Sequence, residues 1–418
     1  MKFTLQLSTL LLCLFLFSCS KSDNSSYLDV SPSEIQANAN ESVTTLHINS
    51  SSRWQATLNA TWCKLDKMEG TTNSDVVLTI DANNSESTRT AQIIFTSDGE
   101  QETVSITQNG PENYSLPIIF HVLYKYQNDP TQYVSSERLA QILEQVNALV
   151  RKSSGASSVQ FQYVLATTDK NGKALSTPGV EYIPFDQIPM DPERFMNDNT
   201  SKYTHLLWDP NKYINVMMYQ FTDNQTLGIS HLPFTVRGGN SLSGLNETTY
   251  TTLSLSNLKF PYCVSINSKY INARSTESKY DEGDVVVTLT HELGHYLGLL
   301  HVFSESDNNC DDTDYCKDTP SYNRLAYEDD VRSMMPINNF TESWPKLVAR
   351  TNCSGEPFTS TNIMDYSYSY FSEFTSDQYK RIHHVLNYSP LIPGPKLTKG
   401  LTRSTAEGPL ELPIQTIR

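Results

Sequence analysis

The sequence predicts a small β-sandwich followed by a larger α+β domain with a mixed sheet. The chain has 418 residues, which is enough for two or three domains. Over residues 27–110, short alternating apolar and polar runs are separated by Asn, Ser and Gly, as in a sandwich. From residue 116 onward, apolar strands alternate with amphipathic helical segments, as in an α+β domain.

Five segments of the first region have the period of a strand. They are Val43–Ile48, Trp54–Leu58, Val76–Ile80, Ala91–Phe95 and Val104–Thr107. Trp54 and Trp62 each have two interpretations, an aromatic core residue or a surface that stacks on sugars. The core interpretation is favoured because aromatic side chains contribute much of the core of a small domain.

The second region follows a predicted linker, Pro111–Ser115, and extends over residues 116–390. Its first predicted elements are a buried strand, an amphipathic helix and two further strands: Leu116–Tyr124, Ser135–Arg151, Phe161–Ala166 and Tyr213–Phe221. Residues 391–418 are rich in Pro and are expected to form an extended tail.

The charge pattern argues against a nucleic-acid partner. The chain has 31 Lys and Arg residues against 46 Asp and Glu residues, a formal net charge of −15. The sequence contains no basic stretch that would contact phosphates.

The first 26 residues have the composition of an export signal and a tether. Residues 1–18 carry one Lys before an apolar stretch that is too short for a stable membrane span. Leu16-Phe17-Ser18-Cys19 resembles the lipobox of bacterial lipoproteins, so cleavage would leave Cys19 as the lipid-bearing first residue of a tether over residues 19–26. This implies a lipoprotein on the surface of the bacterial outer membrane, held there only by its lipid; an ordinary secretory signal is the alternative.

The segment THELGHYLGLLHVF, Thr290–Phe303, has the spacing of a metal site. On a helix His291 and His295 share a face, so both imidazoles can bind one ion. Gly298 is suited to end the helix, because glycine enters the left-handed region cheaply, and His301 can then return as a third ligand. Three protein ligands leave a position open on zinc, which marks a catalytic site, whereas a cluster of structural histidines is the alternative.

Glu292 lies beside the two helical histidines and is the candidate general base. Bound zinc lowers the pKa of a water molecule, and a carboxylate at this position could accept the water proton and pass it to a leaving amine. The motif therefore predicts hydrolysis of an amide bond.

The extended motif is followed by a methionine turn at NIMDY, and the two together resemble the metzincin peptidases, within them the pappalysins. The resemblance also rests on LPIIFHVLY, YINVMMYQF, LGISHLPF, DYCKDTP and FTSDQYKRI, and it covers Leu116 to Leu386. It implies a metzincin-type catalytic domain with zinc bound by His291, His295 and His301.

The resemblance implies further roles for residues near the metal. Glu292 would be general base and acid, Met364 would form the hydrophobic floor below the metal, and Tyr366 would donate to the oxyanion. Strand Ile214–Tyr219 would be the edge that pairs with a polypeptide substrate. The chain departs from the family at Tyr368–Phe371, which replace an acidic pair and a cysteine, so a preference for basic side chains stays open.

Four cysteines fall in the second half of the chain, where they allow three disulfide pairings in an exported protein. The resemblance implies a bridge between Cys310 and Cys353. Cys263 and Cys316 are then the candidates for a second bridge.

The acidic loop DDTDYCKDTP has two interpretations. The resemblance implies a calcium site built on Asp314 and Asp318 with Thr319 alongside, since carboxylates are hard oxygen ligands. A solvated acidic loop without an ion is the alternative.

The first region resembles the BACON domain. The resemblance rests on RWQATLNATWCKL, STRTAQIIFTS and VSITQNG, and the predicted domain covers residues 27–110. It implies a small binding module, with glycan as the expected partner.

These features together predict a zinc-dependent metalloendopeptidase anchored to the bacterial surface, with a polypeptide substrate. One alternative is a glycan- or protein-binding adhesin whose zinc site is structural or inactive, and another is an esterase or deacylase with the same metal chemistry. The presence of Glu292 and Tyr366 favours an active hydrolase over the adhesin.

Overall fold

The computed structural model describes residues 26–39, 41–83, 87–110, 112–154, 159–238, 240–273, 283–305, 310–337, 339–394, 396 and 406–418. The chain divides into two compact units, residues 1–110 and 111–418. The predicted signal and Cys19 lie outside the described residues. Within the described ranges, no helix combines the length and apolar character needed to cross a membrane.

The first unit is a sandwich of two sheets, with strand orders β1-β3-β7-β5 and β2-β9-β8-β4-β6. Its strands are β1 (Leu28–Ser31), β2 (Glu34–Ala37), β3 (Ser42–Ser50), β4 (Trp54–Leu58), β5 (Cys63–Leu65), β6 (Glu69–Gly70), β7 (Ser74–Ile80), β8 (Arg89–Ser97) and β9 (Glu100–Gln108). Neighbouring strands are antiparallel except for β2 and β9. The predicted all-β fold class of this region is confirmed.

Both tryptophans in the pattern serve the structure of this unit. Trp54 is fully buried, its ring lies 5.8 Å from that of Phe95, and its indole N–H donates to the Thr72 carbonyl at 3.0 Å. Trp62 is half-buried and lies 4.2 Å below the guanidinium of Arg89. Trp54 is therefore a core residue and offers no surface on which a sugar could stack.

The second unit is an α+β domain, as predicted. Its elements are β10 (Glu112–Tyr124), α1 (Ser136–Ser154), β11 (Val159–Leu165), β12 (Val180–Pro184), α2 (Pro192–Met196), β13 (Ile214–Tyr219), β14 (Gly228–His231), β15 (Thr235–Val236), β16 (Glu247–Thr248), β17 (Val264–Asn267), α3 (Val285–Tyr296), α4 (Arg324–Ser333), α5 (Phe340–Leu347), β18 (Ala349–Thr351), β19 (Pro357–Thr359), α6 (Ser376–Tyr388) and β20 (Thr416–Ile417).

The main sheet of this unit has the order β11-β10-β13-β17-β14-β20, and β12 also pairs with β10. The pairs from β11 to β17 are parallel, whereas β14 runs antiparallel to β17 and β20 runs antiparallel to β14. Helix α1 contacts α3 and β11, and α3 contacts β14 and β17. The histidine helix thus lies against the antiparallel side of a mixed sheet.

The amphipathic stripe predicted for α1 is buried in the structure. Its members lie at i, i+3 and i+4 spacing and are 0 to 4% exposed: Leu139, Ile142, Leu143, Val146, Leu149 and Val150.

The predicted linker is wrong. Residues 112–115 begin strand β10 and pair in parallel with residues 159–162. Pairing with a strand more than 40 residues away along the chain (112 against 159) decides this boundary, and the short polar segment itself carries no sign of it. The predicted tail is also more than a free extension, because Leu412 is buried and Thr416–Ile417 form β20.

Candidate metal centre

Helix α3 carries the first two histidines and ends where the sequence predicts. Asp284 caps its start by accepting a hydrogen bond of 2.8 Å from a backbone N–H of the first turn. At its end Gly298 has φ +90°, the left-handed conformation that glycine adopts without strain, and its N–H donates to the His295 carbonyl at 2.8 Å. The chain then turns back and brings His301 next to the helix.

The three predicted ligands converge on one point. Nε2 of His295 lies 3.0 Å from Nε2 of His291 and 3.1 Å from Nε2 of His301. All three side chains are buried. Among the described residues, no other three His, Cys, Asp or Glu side chains come together in this way.

Each imidazole is oriented through its other ring nitrogen. Nδ1 of His291 and Nδ1 of His295 donate to backbone carbonyl oxygens at 2.8 and 2.9 Å, and Nδ1 of His301 donates to the carboxylate of Glu305. These acceptors hold the proton on Nδ1, so each Nε2 presents a lone pair to the others. Burial lowers the pKa of His291 to about 4, which keeps this imidazole neutral at neutral pH.

This donor set fits a zinc ion. Three inward-facing lone pairs whose nitrogens are 3.0 and 3.1 Å apart repel one another unless a cation lies between them. Neutral imidazoles, each with an outer hydrogen bond, are the ligands that zinc prefers in catalytic sites.

Glu292 is enclosed between helix α3 and strand β14. Its side chain is 3% exposed, and a Cβ built on Gly228 of β14 would lie 2.6 Å from its Cγ. Its Oε2 has no hydrogen-bond partner among the described residues, and burial raises the pKa of the carboxyl well above its usual range. A buried carboxyl oxygen that makes no structural hydrogen bond and a pKa raised by burial are both typical of a residue with a catalytic role.

Met364 packs against helix α3 at Gly294, where the absence of a side chain leaves room for it. Met364 is fully buried, and a Cβ built on Gly294 would lie 2.6 Å from its sulfur. The glycine between the two helical histidines therefore makes room for the methionine turn.

The ring of Tyr366 packs against two of the three histidines, His291 and His301. Its ring centroid lies 4.5 Å from that of His301 and 5.7 Å from that of His291. Burial, with the nearby carboxylates of Glu292 and Glu305 as smaller causes, raises the pKa of the phenol, so it remains a hydrogen-bond donor at any physiological pH.

Two cavities meet at Tyr366. The larger, about 1010 Å³, is also lined by His291 and Glu292. The smaller, about 530 Å³, is also lined by His301 and Glu305. The candidate site therefore opens to space on both sides of the tyrosine.

Glu305 is a site residue that sequence reasoning missed. It follows His301 by four residues, but outside a helix that spacing gives no indication of contact. Only the turn after α3 brings its carboxylate to Nδ1 of His301.

We expect Glu305→Gln to weaken zinc binding by about 10- to 100-fold, because a neutral amide orients and polarises His301 less well than a carboxylate does. Competition for zinc against a chelator of known affinity measures this change. Glu100→Gln, an exposed glutamate of the first unit, is the control. Equal zinc affinity in the Glu305 variant and in the parent would show that this contact does not tune the metal.

A buried ion pair beneath the methionine turn is a second feature that the sequence did not reveal. Arg350 and Asp365 are 3% and 2% exposed, and Nη2 of the arginine lies 3.7 Å from Oδ2 of the aspartate. Arg350 also donates to the Tyr368 carbonyl at 2.7 Å, and Asp365 accepts from the Tyr322 hydroxyl at 2.5 Å. This pair holds both sides of the turn that carries Tyr366.

The predicted substrate edge is wrong. Strand β13, Ile214–Tyr219, pairs with β10 on one side and β17 on the other, so its backbone groups are already used. The strand beside Glu292 is β14. A near-continuous apolar run such as YINVMMYQF is typical of a central strand, and this is where the tertiary structure places it.

The structure places Cys310 and Cys353 in a disulfide. The proposed second bridge is contradicted, because Cys263 and Cys316 are both free and buried. Cys263 lies on β17 with its sulfur 3.6 Å from that of Met196, where it packs as a small apolar residue.

The acidic loop uses its side chains in hydrogen bonds. Asp314 accepts from the Thr319 hydroxyl at 2.7 Å and from the Cys316 N–H at 2.9 Å, whereas Asp318 accepts from the Asp377 N–H at 2.9 Å. Burial raises the pKa of Asp314 to about 7. Calcium binding by Asp314, Asp318 and Thr319 stays a prediction.

Comparison with known proteins agrees with this geometry. Residues 197–387 match the model of the Peptidase M43 family, described as pregnancy-associated plasma protein-A, and residues 52–109 match that of the BACON family. An extracellular metalloprotease of Arthroderma gypseum is 36% identical over 129 residues, 30% of this chain and 36% of that protein. Another from Arthroderma otae is 27% identical over 245 residues, 58% of this chain and 69% of that protein.

The chain thus spans about a third of the first relative's length (36%). Among solved structures, Tannerella forsythia mature mirolysin in complex with a cleaved peptide is similar with 21% identity and a TM-score of 0.42, over 65% of this chain and 91% of that one. The sequence motifs, the histidine geometry and the two family matches agree: residues 52–109 are similar to the BACON domain, and residues 197–387 are similar to the pappalysin-like Peptidase M43 metalloprotease family.

Proposed function

We propose that the chain is a zinc-dependent metalloendopeptidase that hydrolyses peptide bonds of extracellular proteins. The observation that carries this proposal is the convergence of three neutral imidazoles through their Nε2 atoms, next to the buried carboxyl of Glu292, whose Oε2 has no hydrogen-bond partner in the part of the chain that the structure describes. His291, His295 and His301 would hold the zinc. When bound, zinc supplies a Lewis acid that polarises a peptide carbonyl and acidifies water.

Glu292 moves the proton in this mechanism. Its carboxylate accepts a proton from the attacking water, and the resulting acid donates that proton to the leaving nitrogen. Burial raises the pKa of Glu292, which makes the carboxylate a stronger base and the acid a donor available closer to neutral pH.

Tyr366 and β14 orient the substrate. The phenol of Tyr366 keeps its proton and donates a hydrogen bond to the oxyanion that develops on the carbonyl. Strand β14 contacts Glu292 and pairs with β17 on one side and with only the two residues of β20 on the other. The peptide pairs with β14 along the edge that β20 occupies in the structure. A strand edge that binds an extended backbone favours a polypeptide substrate over the small substrate of the alternative function, an esterase or deacylase.

Digestion of a peptide library by the purified chain tests the proposal directly. We expect cleavage, its loss after treatment with a chelator, and its return when zinc is added back. A zinc-loaded chain that cleaves no peptide would instead favour the binding lipoprotein with a structural metal site.

We also propose that Cys19 carries a lipid that anchors the protein to the outer surface of the cell. The support is the lipobox-like sequence before Cys19 and the polar tether after it, together with relatives that are named extracellular. Cys19→Ala should shift the protein from the membrane fraction to the soluble fraction or leave an uncleaved precursor. Ser20→Ala is the matched control, and unchanged fractionation and mobility of the Cys19 variant would contradict the anchor.

A further inference from the structure

The last residues of the chain pair with the strand that lies beside Glu292. Strand β20 runs antiparallel to β14, with Ile417 opposite Ser230 and Thr416 opposite His231. Just before this pair, the Leu232 N–H donates to the Gln415 carbonyl at 2.9 Å. The tail therefore adds a strand to β14 in the orientation of an antiparallel peptide ligand.

The approach of the tail to β14 is guided by specific contacts. The side-chain amide of Asn257 donates to the carbonyl oxygens of Ala406 and Gly408 at 3.1 and 2.8 Å. Further along, the side chain of Gln415 donates to the Gly244 carbonyl at 2.9 Å, and its Oε1 accepts from the backbone N–H of Asn246 at 3.1 Å. Leu412, between these points, is buried. These contacts form a specific intramolecular binding site for the segment 406–418.

The tail reaches the candidate site itself. Arg418 lines the cavity that contains Glu292 and also the cavity that contains His301. Its guanidinium contacts the carboxylate of Glu193 at 2.7 Å. In the register of β20 the next position on β14 is Ile229, adjacent to the Gly228 that touches Glu292.

We infer that the segment 406–418 is an internal competitor that occupies the peptide-binding edge of β14, so that substrate must displace it. This inference rests on the proposed function, because only a peptidase uses that edge for substrate. A strand edge offers one row of N–H and C=O groups, and these cannot pair with the tail and with a substrate at once.

The contacts that hold this segment on β14 are weak enough for a substrate to displace it. β20 contains two residues, and the side chains of Arg418 and Glu193 are 59% and 58% exposed, so solvent screens their attraction. If the tail occupies β14 for about 70–90% of the time, the apparent affinity for substrate falls by about three- to tenfold, because it scales with the fraction of molecules in which the edge of β14 is free.

Ile417→Pro tests the inference against a matched control, Thr416→Pro. The antiparallel ladder alternates, and the Leu232 to Gln415 bond makes Ser230 and Ile417 the next hydrogen-bonded pair. Proline at 417 therefore removes an N–H that bonds β14, whereas proline at 416 removes an N–H that points away from it. We expect KM for a fluorogenic peptide to fall by about three- to tenfold in Ile417→Pro only.

Hydrogen exchange gives a second readout that needs no catalysis. We expect the amides of Ser230 and Leu232, which face the tail, to exchange faster in Ile417→Pro than in the parent and in Thr416→Pro, and a synthetic peptide of residues 406–418 to restore their protection. If this exchange pattern appears in a chain that cleaves no peptide, the pairing of the tail with β14 is supported and the proposed function is wrong. If the chain is active but KM and exchange are unchanged in Ile417→Pro, the internal competitor is overturned.

Discussion

Glu292→Gln is expected to keep its zinc and its fold and to lose nearly all peptidase activity. Gln has almost the shape of Glu, and the residue is not among the three side chains whose Nε2 atoms converge, so zinc content should not change. The amide cannot accept a proton from water or return one to the leaving nitrogen. General acid–base catalysis contributes about 10²- to 10⁴-fold, and kcat should fall by at least that factor.

Tyr366→Phe provides the comparison. It removes one donor to the oxyanion while the histidines and Glu292 stay in place, so we expect a smaller loss, corresponding to about 2.7–4 kcal/mol or less of transition-state stabilisation. Single-turnover rates with zinc content measured on the same samples establish the order. A Glu292→Gln protein that retains zinc and cleaves at close to the parent rate would assign the metal a structural role.

Arg350→Met is expected to produce the largest loss of stability, about 3–5 kcal/mol in the free energy of unfolding of the second unit. The substitution leaves Asp365 buried without its cation. It also removes the donor to the carbonyl oxygens of Tyr368 and Leu347. The guanidinium lies 3.3 Å from the ring centroid of Tyr327, so a contact with that aromatic face is lost as well.

Hydrogen exchange of peptides from α3 under increasing urea reports this change for the second unit within the full chain. The control is Arg237→Met, since the pair of Arg237 with Glu247 is exposed and a solvated pair contributes little. Arg350 also donates to the carbonyl of Tyr368, two residues after Tyr366. Because this contact helps to position Tyr366, the variant should lower kcat even where it remains folded. An Arg350→Met protein as stable as the control would show that the buried pair is not required to hold the turn.

Features encoded by local spacing could be predicted from the sequence. The interval between His291 and His295, the left-handed Gly298 and the return of His301 depend only on helix geometry and on the conformational freedom of glycine. The same is true of the apolar stripe of α1, whose period of 3.6 requires one buried face.

Other predictions failed where a residue's partner lies far away in the chain. The run of residues 112–115 looks like a linker until β11 pairs with it. The strand Ile214–Tyr219 looks available for substrate until β10 and β17 cover both of its edges. Cys263 and Cys316 looked like a pair by elimination, yet each is enclosed by its own neighbours.

The sequence by itself determined the candidate metal ligands, the candidate base and the two fold classes, because each follows from residue type and short-range periodicity. Only the tertiary structure decided which strand borders Glu292, how Arg350 and Glu305 support the site, and where residues 415–418 lie. Backbone pairing and burial of charge depend on what a segment meets across the fold, and nothing within the segment specifies that partner. The pairing of Ile417 with Ser230 joins residues nearly 190 positions apart (417 against 230), a distance over which local pattern carries no information.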